Sequence, residues 1–452
     1  MACALGKRRS ILLSYEGNRW SILNSWPEHL ASFLNYWRER GIPVKNGLSF
    51  TSPAFDFARL PDCGVQPATT TFFPNVGGFR LMLEFLIAGF LTAAALSCAI
   101  APLIRRWAPA LGLIDLPGDR KVHVQPTPRG GGIAIFLGFM IPTVAVVAAC
   151  LIGRSKHLAG IDPVVEAIQQ TPERLSQFLA IGIGACVLFL TGLADDRWNL
   201  SWKFRLGLQL SVAAGVVASG VRATVFVSQP WFGFIATVLW ILVLTNAMNF
   251  LDNMDALSAG IGVIASLIFA AILIVMVRTP AWSVAVPLLF LAGSLMGFLV
   301  WNRPPASIFM GDCGSNLIGF LLATLTVTGT FYESTGSRHV MLAPLCVMAV
   351  PLYDFCSVIL IRLSQRRSPF HGDKSHFSHR LVELGMKPAH AVLTIHLTTI
   401  MTGLGGLLLY KVPDWIGATL VLALIFCVLA VIAILETVGR RAVNEIQEKQ
   451  RR

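Results

Sequence analysis

The chain has 452 residues, 55% of them hydrophobic and 13% charged, with a mean hydropathy of +0.67. Such a composition excludes a soluble globule and points to an all-α protein that crosses a lipid bilayer many times. In that class the net charge of +12 reports loop orientation, not attraction to nucleic acid, and no nucleic-acid partner is expected. Nine cysteines, most of them inside apolar runs and none with CxxC spacing, read as buried thiols without a disulfide framework or a zinc site.

Residues 1–81 are irregular, rich in Trp, Pro and Ser, lack a signal-peptide layout, and carry nine Lys or Arg. They read either as a disordered or peripheral extension, or as sequence upstream of the working start at Met82, which opens directly onto the first apolar run. Stretches of about 20 apolar residues then predict eleven spans, near 83–104, 131–153, 176–194, 205–221, 232–250, 257–277, 281–301, 315–331, 342–363, 391–410 and 414–436. The fourth is the weakest. Lys and Arg concentrate in the loops after spans 1, 3, 5, 7 and 9 and in the basic tail 438–452, so these face the cytoplasm and 82–437 form one membrane domain.

Five polar clusters interrupt this apolar chain: "DLPGDRKVHVQPTPRGGG" (115–132), "GLADDRWN" (192–199), "NAMNFLDNMDALSAG" (246–260), "PPASIFMGDCGSN" (304–316) and "DKSHFSHRL" (373–381). All lie in or beside the cytoplasmic loops, and ionisable groups at membrane-helix ends read as a functional site. Asp195 and Asp196 end span 3. Adjacent carboxylates there either bind a hard divalent cation, which also engages phosphate oxygens, or form a solvated helix end beside Arg197.

Asn246, Asn249 and Asp252 recur every third residue at the end of span 5, so on a helix they share a face, and Asp255 follows in the loop. That face suits a nucleotide and a metal; for Asn246, the deepest, bonding to a neighbouring helix is the competing reading. In "MGDCGSN", Gly311 and Gly314 flank Asp312 before span 8. The backbone amides at this helix start are predicted to be available to an anion, with Ser315 a plain N-cap as the alternative. The ninth loop places His376 and His379 three apart beside Arg380, and its cations favour phosphate over zinc.

Taken together and in order, these motifs resemble the polyprenyl-phosphate N-acetylhexosamine-1-phosphate transferase superfamily over residues 83 to about 436. The opening "RKVHVQPTPRGGG", with Lys121 and His123, is more similar to the GlcNAc branch than to the phospho-MurNAc-pentapeptide branch, which stays as the alternative. The resemblance implies transfer of HexNAc-1-phosphate from a UDP-N-acetylhexosamine to undecaprenyl phosphate, with release of UMP. It implies Mg2+, with Mn2+ as a substitute, at the cytoplasmic face of a bacterial inner membrane, and leaves room for a homodimer.

Residue by residue, the resemblance makes Asp252 the first metal ligand. Asp195 and Asp196 would position or deprotonate the lipid phosphate and share the metal. Lys121, His123, Asn246, Asn249, Asp255, Asp312, Ser315, His376, His379 and Arg380 would bind substrate. The chain departs from the family pattern at Asn253 and Ala256, where Gly is common, and at Ser378, where His is. A transporter is the competing class, but its sites usually lie near the bilayer midplane within repeated halves, and here every cluster lies at one face.

Overall fold

The computed structural model describes residues 13–16, 19–22, 76–116, 126–152, 172–223, 229–277, 280–329, 338–368 and 375–451. The chain divides into two units, residues 1–72 and 73–452. In the first, β1 (Leu13–Glu16) and β2 (Arg19–Ile22) pair antiparallel, with Leu13 opposite Ile22 and Glu16 opposite Arg19.

The second unit is helical. Its elements are α1 (Val76–Trp107), the short strands β3 (Ile114–Asp115) and β4 (Thr127–Pro128), α2 (Gly131–Ile152), α3 (Pro172–Trp198) and α4 (Trp202–Ala218). Then come α5 (Pro230–Leu251), α6 (Leu257–Ala271, continued by a π turn over Ile272–Met276), α7 (Trp282–Asn302) and α8 (Asp312–Thr328). The unit closes with α9 (Ala343–Val347), α10 (Ala349–Ser364), α11 (Phe377–Glu383), α12 (Pro388–Leu408) and α13 (Trp415–Arg451).

Ten of the eleven predicted spans each fall on one helix and the ninth covers two, but among the described residues only eight helices are both long and apolar enough to cross a membrane, or nine if one bent pair counts as a span. The shortfall has a geometric cause. Helices α4 and α8 have 17 residues each, about 25 Å at 1.5 Å per residue, short of a hydrocarbon core of about 30 Å. The run 342–363 breaks at Met348, and the segments on either side meet at a bend of 67°. The first helix opens at Val76, six residues before Met82.

Backbone groups inside hydrocarbon must be satisfied by the segment that carries them, which favours helix. Hydroxyls follow the same rule: Thr245, Thr324 and Thr326 donate back to the carbonyls of Ile241, Phe320 and Leu322 at 2.7–2.8 Å. Helices approach closely where side chains vanish. A Cβ on Gly293 or Gly297 of α7 would meet the Phe90 or Ala94 carbonyl oxygen of α1 at 2.2 or 2.1 Å. Helix α8 is buried along nearly its whole length against α2, α3, α5 and α6. Its N-terminus is therefore a fixed point on which the ends of several helices converge.

Candidate active site

The cluster at 304–316 is threaded between two others. Phe309 N–H donates to the Pro128 carbonyl at 2.8 Å, and Gly131 and Gly132 donate to Phe309 and Met310 at 2.9 Å. These bonds clamp the start of α2 to the start of α8. On the opposite side Gly192 of α3 lets the chain pass close: a Cβ there would meet the Cys313 backbone at 2.5 Å. The start of α8, tied to the start of α2, is thus held against the end of α3 that carries the aspartate pair.

Asp196 accepts from the backbone N–H groups of Asp312 at 2.9 Å and Cys313 at 3.1 Å. Those are the first two amides of α8, and the helix dipole favours a negative group there. The first two of the amides expected to be available to an anion are taken by the protein's own carboxylate, and the cap residue is Gly311, at φ +77°, in place of Ser315. Ser315 instead accepts from Asn249 Nδ2 at 3.0 Å and donates to the Gly311 carbonyl at 3.2 Å, tying α5 to α8.

Asp195 accepts from the Leu200 amide at 2.6 Å and from Arg205 Nη1 at 2.5 Å. The same Arg205 nitrogen reaches Asp312 Oδ2 at 2.8 Å, so one guanidinium joins α3, α4 and α8. Arg129 sits across the cleft, ion-paired to Asp115. Arg129, Asp195, Asp196, Asn199, Leu200, Arg205 and Asp312 line a cleft of about 170 Å³. A drug-sized ligand site usually occupies 300–1,000 Å³, so this cleft suits a phosphoryl group and an ion, and a nucleotide must extend past it.

Asp252 ends α5 just outside its membrane-spanning segment. Burial pushes its carboxyl up to about 8; the neighbouring charges of Asp312 and Asp196 add to the shift, while Arg129 and the Gly311 amide oppose it. Four aspartates, 195, 196, 252 and 312, are thus gathered around two guanidiniums. Among the described residues no three His, Cys, Asp or Glu side chains stand ready as a metal cluster. The donor set nevertheless fits a hard cation chemically: it is all carboxylate oxygen, and mutual repulsion of the kind that raises Asp252 is what a divalent ion relieves.

Other expected residues lie elsewhere. Asn246 donates to Gln209 Oε1 at 2.7 Å and to the Leu242 carbonyl at 2.8 Å, the interhelical bond that was its competing reading. Asp255 accepts from the Ala306 amide at 2.9 Å and steadies the loop before α8. Ala256 has φ +64°, the left-handed conformation that favours Gly, and its amide donates to Asn302 Oδ1 at 2.9 Å. The turn keeps its shape without the glycine. Lys121 and His123 lie outside the described residues.

The histidine helix α11 forms a second region. His376 Nδ1 lies 2.9 Å from Asp354 Oδ2, and Asp354 Oδ1 accepts from the Phe377 amide at 2.6 Å. Asp354, fully buried in α10, fixes both the imidazole and the start of α11. The His376 ring meets the edge of Phe250 at 5.5 Å and stands 6.3 Å from His379, centroid to centroid. Arg380 is buried with its guanidinium against Glu436 of α13 at 2.9 Å, Ser357 Oγ at 3.0 Å and the Ser375 carbonyl at 2.9 Å. The structure therefore places Arg380 in a polar network between helices, away from the cleft lining.

Sequence reasoning missed Arg129, Arg205 and Asp354. Arg129 lies inside the 115–132 cluster and Arg205 a few residues past 192–199, but neither was given a role; a carboxylate inside span 9 was the available signal for Asp354.

Residues 178–330 match the model of "Glycosyl transferase family 4". The chain is 30% identical over 349 residues, 75% of its own length and 89% of the relative's, to the probable undecaprenyl-phosphate N-acetylglucosaminyl 1-phosphate transferase of Bacillus subtilis. It is 33% identical over 338 residues to the decaprenyl-phosphate N-acetylglucosaminephosphotransferase of Mycobacterium tuberculosis, covering 70% of this chain and 80% of that one. With the undecaprenyl-phosphate alpha-N-acetylglucosaminyl 1-phosphate transferase of Escherichia coli K12 it shares 27% over 341 residues, 71% and 84% of the two chains.

Proposed function

We propose, for a chain that belongs to glycosyl transferase family 4, that it transfers GlcNAc-1-phosphate from UDP-GlcNAc to a membrane polyprenyl phosphate. An oxygen of the lipid phosphate attacks the β-phosphorus, the bond to the UMP oxygen breaks, and UMP leaves with that electron pair. Undecaprenyl phosphate is the acceptor we take first, following the motif resemblance, with decaprenyl phosphate as the alternative, since relatives named for each match.

The carrying observation is the gathering of Asp195, Asp196, Asp252 and Asp312 with Arg129 and Arg205 at one end of the helix bundle. Phosphoryl transfer needs positioning and charge neutralisation more than covalent chemistry. Arg129 and Arg205 supply donors to phosphoryl oxygens. Asp195 and Asp196, fixed by Arg205 and by the α8 amides, orient the lipid phosphate. Asp252, whose neighbouring carboxylates are Asp312 and Asp196, would hold Mg2+ with Asp195 and Asp196 sharing it, and the ion would supply Lewis-acid stabilisation of developing charge. The lipid tail stays in hydrocarbon while its head meets the cleft at the helix ends, on the cytoplasmic side by the distribution of Lys and Arg.

The test is UMP release by purified protein. Release from UDP-GlcNAc that requires both polyprenyl phosphate and Mg2+ supports the reading, and a panel of UDP-sugars and of undecaprenyl and decaprenyl acceptors fixes the substrates. Release without a lipid acceptor, or none at all, sinks it.

A further inference from the structure

The acidic cleft and the histidine helix meet at Asn253 and Ser378. Asn253 follows Asp252 directly. Its Nδ2 donates to the Phe250 carbonyl at 2.7 Å, and its Oδ1 accepts from Ser378 Oγ at 2.6 Å. Ser378 is wholly buried between His376 and His379. The ring of the same Phe250 receives His376 at 5.5 Å, so α11 touches the end of α5 through both a polar and an aromatic contact.

We propose that Asn253 and Ser378 form a polar clasp that sets Asp252 against the histidine helix, making them paired positioning residues for the transfer; this rests on the transferase reading above. A buried hydroxyl donating at 2.6 Å to a fixed amide oxygen is a short, well-defined contact. Losing Asn253 strands the buried Ser378 hydroxyl, whose partner it is. Glycine at 253 would have no side chain to reach Ser378, and the larger histidine at 378 would press on the Asn253 amide that now accepts from Ser378 at 2.6 Å. Making both changes together roughly conserves volume across the contact, the kind of change a packed interior tolerates only as a pair.

The neighbouring turn does not take part: Ala256 is at φ +64° and its amide is held by Asn302. The clasp thus acts on where Asp252 stands relative to His376 and His379, and leaves the turn itself alone.

The experiment compares purified wild type, Asn253→Gly, Ser378→His and the double variant in the UMP-release assay, with kcat and both KM values. Each single change is expected to lower kcat at least tenfold with the polyprenyl phosphate KM within about twofold, and the double change to return kcat to within about threefold of wild type. Ser378→Thr, which keeps the hydroxyl, is expected to retain kcat. Losses that multiply in the double variant overturn the proposal. If Ser378→His does not fold, Asn253→Ala and Ser378→Ala replace it: a double alanine variant no slower than the slower single one supports the clasp, and multiplied losses overturn it. A wild type that releases no UMP sinks the transferase reading, whereas a double-mutant cycle of unfolding midpoints on the same proteins still reads the contact, additive midpoints overturning it.

Discussion

The acidic cleft and the histidine helix are both built from charged groups at helix ends, yet they settle their charges in opposite ways. In the cleft, four aspartates face two guanidiniums and Asp252 is driven toward its neutral form. Around α11, Asp354 meets His376, and Arg380 meets Glu436. A region left with surplus charge of one sign is poised to take up an ion; a region paired internally is a frame. On that difference rests the proposal of chemistry for the first and positioning for the second.

The sharpest way to break that contrast is Asp252→Asn. It removes the carboxylate with the strongest unmet demand for a cation, and loss of Lewis-acid stabilisation worth several kcal/mol lowers kcat by about a thousandfold or more. Without Mg2+ the variant unfolds no more easily than wild type. Near-normal UMP release at saturating Mg2+ would falsify the assignment.

Arg380→Ala tests the frame. Removing one partner of a buried ion pair costs about 3–5 kcal/mol, so the unfolding midpoint in detergent drops while the Mg2+ concentration for half-maximal activity of the surviving folded protein stays put. A shifted Mg2+ requirement with unchanged stability places Arg380 in the cleft chemistry instead.

The pH dependence separates the regions further. The folded carboxyl of Asp252 lies near 8, above the unfolded value of about 3.9, so its contribution is fully present below about pH 4 and is lost as pH rises through 8. Metal-free protein is therefore expected to lose stability over that window, and Asp252→Asn to flatten the profile. A wild-type profile that rises instead contradicts the charge imbalance.

The smallest effect concerns the turn beside the cleft. Ala256 sits at φ +64°, and left-handed backbone costs a non-glycine residue about 1–2 kcal/mol. Ala256→Gly is expected to raise the unfolding free energy by about 1 kcal/mol without changing kcat; a loss of activity there ties the turn to catalysis.

Much of the frame could be read from the chain because hydrophobic run length reports helices directly: ten of the eleven expected spans each fall on one helix, though only eight or nine qualify as membrane spans among the described residues. Run length says less about bends and short helices, which is why 342–363 breaks at Met348 and α4 and α8 stop at 17 residues. The spacing of Asn246, Asn249 and Asp252 placed them correctly at the end of one helix, but a shared face does not name its neighbours. Asn246 turned to Gln209 and Asn249 to Ser315. Arg205 and Asp312 lie 107 residues apart, and nothing local marks them as partners. Charges at helix ends also serve orientation, so Arg129 and Arg205 were hidden among residues of the same type doing that simpler task.

Asp196 holds the first amides of α8 across 116 residues of sequence, and this carries a consequence for how the protein is made. When α3 enters the bilayer during synthesis, its carboxylate partner has not yet been translated, and neither has the helix whose dipole it answers. An aspartate near a membrane helix end must wait there at an energetic disadvantage. The cleft is therefore a late product of biogenesis: it closes only once the ribosome has passed residue 312, and a nascent chain arrested earlier carries its most reactive segment without its keystone.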